Sequence, residues 1–138
     1  MKNEKDLTNF LSQVKKLTGS QPPASDLDAV DRFMRNLNAI YARWAHLNGV
    51  ATSVLSQLTY QTLKEIGEED FKRIKNSSTL TTEYVQGTYP EITALCIEIQ
   101  QTGYVLKSVA DNYRTLVSSY RLEREIDSKT IRNTTNQN

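Results

Sequence analysis

Two apolar ladders constrain this chain more than any other feature. The first runs Val30, Met34, Leu37, Tyr41, Trp44, Asn48, Ala51, Leu55 and Leu58. The second runs Ile92, Leu95, Ile99, Thr102, Leu106, Val109, Tyr113, Leu116 and Tyr120. Each alternates steps of three and four residues, which keeps one face of an α-helix apolar along its whole length. The pattern predicts an all-α fold: a long antiparallel helical hairpin of residues 26–66 against 91–124, with a short N-terminal helix, assembling into an oligomer. Such a hairpin is a scaffold, and its function lies in what decorates it.

Around the ladders the chain divides into segments. Residues 1–18 carry Leu7, Phe10, Leu11, Val14 and Leu17 at helical spacing and predict a short amphipathic helix. Residues 19–25 contain Pro22-Pro23 and read as an extended linker, so this helix can pack on its own hairpin or on a neighbour's. Residues 26–128 form the hairpin domain. Residues 129–138 end in Thr-Thr-Asn-Gln-Asn and predict a disordered tail. Ser25 or Asp26 caps the first long helix. Gly67 is its expected stop, with Phe71 and Ile74 either extending it or forming a short second helix. Residues 75–82 are polar and turn-prone. Thr88 with Glu91 has the spacing of a capping box for the second long helix, and Pro90 suits its first turn. Gly103 lies inside that helix, where glycine costs about 1 kcal/mol relative to alanine.

The first ladder is wider than one partner helix can cover. Phe33, Ile40, Leu47 and Val54 each sit one residue before a ladder position. A stripe three positions wide per heptad predicts a second partner, and these residues are assigned to a homo-oligomer interface.

Composition excludes several functions. There are 17 basic and 16 acidic residues, so bulk charge steers no ligand. One cysteine, Cys96, and one histidine, His46, lie on different predicted helices. The thiol reads as a small buried hydrophobe and the setting as reducing. Too few His and Cys are present for a zinc site, and no glycine-rich phosphate loop occurs. The expectation is a non-enzyme without metal or cofactor. With no secretory leader pattern and no long apolar run, it is placed in the cytoplasm and away from membranes.

Two features suit a polyanion. Phe71-Lys72-Arg73-Ile74-Lys75 puts three cations in four positions, followed by Tyr84 and Tyr89. Cations can take phosphates while flat rings stack bases, as in single-stranded nucleic-acid binding. The competing reading is a solvated helix end with locally packed tyrosines, and Glu68, Glu69 and Asp70 lie beside it. Lys107, Arg114, Arg121 and Arg124 form a stripe along the second helix, which reads first as salt bridging across a helix interface.

The segment Tyr41-Ala42-Arg43-Trp44, inside a long early helix, resembles the Tyr-small-basic-Trp stretch of the UvsY-type recombination mediators of T4-like phages. The polar middle stretch and the basic, aromatic end of the second helix are similar too, over roughly residues 27–126. The resemblance implies a closed ring of about six or seven chains. It also implies binding of single-stranded DNA and loading of a recombinase onto DNA coated with single-strand-binding protein, in the host cytoplasm. The family's DNA-contacting basic residues sit late in the first long helix, where Lys64 matches. The motif's next basic position falls near Ile66, which shifts the assignment toward Lys72, Arg73 and Lys75. The family's C-terminal helix supports oligomerisation. Here the matching stretch carries Tyr113, Leu116 and Tyr120. The alternative is a helical assembly or virion structural protein without nucleic-acid binding.

Overall fold

A computed structural model describes residues 2–136, with side chains described over 3–130. The described residues form five helices: α1 (Lys2–Thr18), α2 (Leu27–Glu65), α3 (Glu68–Ile74), α4 (Ser78–Thr88) and α5 (Pro90–Asn136). No strand occurs among the described residues. None of their helices is long and apolar enough to cross a membrane.

The two ladders lie on α2 and α5, whose 39 and 47 residues extend about 58 and 70 Å at 1.5 Å per residue. Asp26 starts α2 by accepting a hydrogen bond from the Ala29 amide at 3.2 Å. The two helices pack against each other. Phe33 packs on Tyr113 with ring centroids 5.0 Å apart, Trp44 meets Ile99 and Gly103, and Thr52 meets Gln100. Between them lie Leu37, Ala51, Leu58, Cys96, Ile99 and Leu106, all buried. Burial also raises the Cys96 thiol above its ordinary pKa, as expected for an apolar helix seam.

The third wall of this core is α1. Leu7, Phe10, Leu11 and Val14 are buried against α2 and α5. Arg43 donates to Gln13 at 2.6 Å and lies over the Phe10 ring, 5.8 Å from its centroid. Tyr113 donates to the Pro22 carbonyl at 2.5 Å and fixes the linker that brings α1 back. The wide stripe on α2 is thus covered from within the chain. Phe33, Leu47, Val54 and Tyr113 are buried in one copy, and Ile40 and Tyr120 are half-buried. Phe33, Ile40, Leu47, Val54 and Tyr113 belong to the core of one copy rather than to the interface assigned to them, while Tyr120 lies outside that core with Arg124 over its ring. Of that set only Leu116 stays exposed.

Three local expectations are corrected. Thr88 and Glu91 form no capping box. Thr88 is the last residue of α4, and its hydroxyl donates to the Tyr84 carbonyl. Tyr89 instead joins the helices, donating its amide to Val85 and accepting from Thr93. The polar stretch 75–82 is an ordered junction. Ser77 caps α4 through its hydroxyl, and Thr81 donates to the carbonyls of Ile74 and Ser77. Finally, α5 continues through residues 129–136, where a disordered tail was expected; residues 137 and 138 lie outside the described ones.

Candidate nucleic-acid interface

The tip of the scaffold holds the residues first assigned to DNA. Lys64 lies in the last turn of α2 and Lys72 and Arg73 in the last turn of α3. Lys75 follows as its cap, Tyr84 lies on α4, and Tyr89 links α4 to α5. The fold brings them to one end, but not as a free basic patch. Lys72 pairs with Glu68 at 3.5 Å and Arg73 with Asp70 at 3.2 Å. Acidic first turn and basic last turn also suit the dipole of α3, so these charges are explained by the helix itself. Between residues 64 and 91 the four cations face Glu65, Glu68, Glu69, Asp70, Glu83 and Glu91, leaving this end net acidic. Tyr84 and Tyr89 are half-buried, and Tyr89 packs against the core.

A different arrangement lies along the seam of α2 and α5. Its base is the single tryptophan, Trp44. The indole Nε1–H donates to the Ile99 carbonyl at 2.6 Å, so the ring is held close against the backbone of α5. Only glycine permits this. A Cβ at residue 103 would sit 2.5 Å from Trp44 Cη2 and 2.6 Å from Cε2. Tyr41, one turn earlier on α2, stacks on the indole with centroids 5.5 Å apart and planes 29° apart. Tyr41 is 40% exposed. Across the groove Tyr104 is 78% exposed, an unusual position for a large aromatic ring.

The rest of the groove is polar but carries no carboxylate. Asn48, Gln100 and Gln101 contribute amides and Lys107 contributes the one charge. A second groove continues from it toward the start of α2, sharing Tyr41 and Lys107 and reaching Arg114. Arg114 is tied to Asp111 at 3.2 Å, whereas Lys107 and Arg121 make no ion pair among the described residues. The basic stripe on α5 is therefore only partly salt-bridged. It runs beside this aromatic groove.

Sequence reasoning passed over the seam because it took Tyr41 and Trp44 as ladder residues. The available signal was the glycine at 103, opposite the only tryptophan, together with Tyr104 standing off the ladder. Beyond the core, α5 runs on with residues 121–130 exposed. Leu122 and Ile126 there are 58% and 54% exposed, beside Leu116 at 51%. Comparison of the chain with protein-family models, curated proteins and solved structures returns no match.

Proposed function

We propose that this chain is a non-enzymatic, single-stranded DNA-binding protein of the recombination-mediator kind, working as a homo-oligomer built on the α2/α5 hairpin. The observation that carries the reading is the pair of exposed rings, Tyr41 and Tyr104, in a carboxylate-free groove beside Lys107. Rings stack bases of any sequence and cations take phosphates, the two contacts that sequence-tolerant single-strand binders combine. The near-neutral chain is compatible with this, because weak sites repeated around an assembly gain from effective concentration. The mediator role, loading a recombinase onto DNA covered by single-strand-binding protein, rests on the resemblance at Tyr41-Ala42-Arg43-Trp44. Two residues of that motif, Tyr41 and Trp44, line the groove.

A second reading has its own observation. Leu116, Leu122 and Ile126 are exposed along the second half of α5, which favours a helical assembly protein with no nucleic-acid role. Native mass measurement with and without an oligo-dT separates the two. The mediator reading expects a multimer whose mass rises by that of the oligonucleotide at low salt. A multimer that never takes up DNA supports the assembly reading, and a monomer that takes up none refutes both.

A further inference from the structure

We infer that the α2/α5 seam, and not the α3–α4 tip, is where a single-stranded polynucleotide lies. Its bases stack on Tyr104 and Tyr41 and its phosphates face Lys107 and Arg121. This rests on the single-strand-binding reading above and assigns it a site.

Four features point the same way. The first is ring presentation. Tyr104 leaves most of its surface in water, which its helix position does not require and which a stacking platform does. Tyr41 is held from behind by Trp44, whose own indole is fixed by the bond to Ile99 and by the missing side chain at Gly103. The ring offered to a base is thus rigid before binding, which limits the entropy lost on stacking.

The second is charge. The groove around Trp44 contains no Asp or Glu, and its only charged side chain is Lys107. The tip offers the reverse, with cations outnumbered by carboxylates and two of them paired. Where the groove continues past Lys107 its one lining carboxylate is Asp111, which is tied to Arg114, so a polyanion meets less repulsion along the seam than at the tip.

The third is register. Lys107, Arg114 and Arg121 are seven residues apart, so they stand in one row along α5 about 10 Å apart. From Ile97 to Arg121 the row and groove together run about 36 Å, enough for several nucleotides at about 3.4 Å each. The fourth is the supply of amides. Asn48, Gln100 and Gln101 can both donate and accept, so they meet base edges without demanding one base. A protein helix docked in the same groove would be expected to meet an apolar stripe. Only Ile97 among the lining residues is aliphatic.

The test uses the full chain and a fluorescein-labelled oligo-dT, read by anisotropy at about 50 and about 200 mM salt. Tyr104→Ala should weaken binding roughly tenfold, the scale of one lost base stack. Tyr104→Phe should bind like the parent, because the ring and not the hydroxyl is used. Lys107→Gln should weaken binding at low salt and flatten the salt dependence by about 0.7 log units per log unit of salt. The triple change Lys72→Gln, Arg73→Gln and Lys75→Gln should leave affinity within about twofold. Tyr104 and Lys107 are exposed, so folding is retained, and circular dichroism checks it. If the parent binds and the tip triple loses affinity while Tyr104→Ala does not, the site is at the tip and the inference is wrong, with the functional reading intact. Equal weakening by Tyr104→Phe and Tyr104→Ala overturns the stacking role. If the parent binds no oligonucleotide even at low salt, it is the functional reading that fails.

Discussion

Gly103→Ala is the sharpest probe of how α2 and α5 meet. On helix propensity alone the change should stabilise α5 by about 1 kcal/mol. The geometry reverses the sign. The new methyl would lie within 2.6 Å of Trp44 Cε2 and 2.5 Å of Cη2, far inside contact distance. Neither atom belongs to the end of a flexible chain, since the indole is pinned by its bond to Ile99 and by Tyr41 behind it. Overpacking of this kind costs about 1–3 kcal/mol. Losing the Trp44–Ile99 hydrogen bond adds about 0.5–1.5 kcal/mol. After the propensity gain the net expectation is a loss of about 0.5–3.5 kcal/mol, a fall in Tm of roughly 2–14 °C for a chain of this size. Urea and thermal melts followed by circular dichroism measure it, and Trp44 emission, from the only tryptophan, reports whether the ring has left α5. In a Trp44→Leu background the same glycine change should become neutral or stabilising, because the clashing ring is gone. A Gly103→Ala protein that gains about 1 kcal/mol with unchanged emission would falsify the packing described for this seam.

Three further outcomes are expected. Thr62 and Thr93 bury hydroxyls without a hydrogen-bond partner among the described residues, so Thr62→Val should raise stability by about 1 kcal/mol in urea unfolding, and a loss would mean that hydroxyl is satisfied. Leu122→Asp with Ile126→Asp should lower the assembly mass in light scattering while leaving the thermal melt of the core unchanged, because both residues are exposed; an unchanged mass removes that end of α5 from any interface. Burial raises the Cys96 thiol above 9.0, so the folded state keeps its proton while the unfolded chain loses it. Stability is then full below the thiol's ordinary pKa and falls as pH rises from there through the folded pKa, and Cys96→Ala should flatten that alkaline fall in urea melts taken across pH.

The helices were legible because their signal is periodic. The ladders locate α2 and α5, and Asp26 marks a start that the Ala29 amide bond makes visible. What covers an apolar stripe is not periodic information. Phe33, Leu47 and Val54 show that α2 needs a second partner, but the identity of that partner depends on where Pro22-Pro23 turns the chain. The Tyr113 bond to the Pro22 carbonyl settles this for α1. The Thr88–Glu91 spacing misled because Tyr89 ends one helix and leads into the next, so Thr88 lies inside α4 and its hydroxyl is used on the Tyr84 carbonyl. At the tip, Lys72 and Arg73 read as a basic cluster in sequence, yet Glu68 and Asp70 sit one turn away on the same short helix. The seam groove was hidden for a geometric reason. Tyr41 and Trp44 lie on α2 and Tyr104 and Lys107 on α5, more than fifty residues away, and only the register of the two helices brings them together.

The central claim is that the seam engages a single strand, and Trp44 emission tests it most directly. Trp44 is the sole tryptophan and lines the groove, so its signal reports on that place alone. Titration of the full chain with unlabelled oligo-dT at low salt should give a saturable change in emission that added salt reverses. Binding detected by anisotropy with no change in Trp44 emission would contradict the claim.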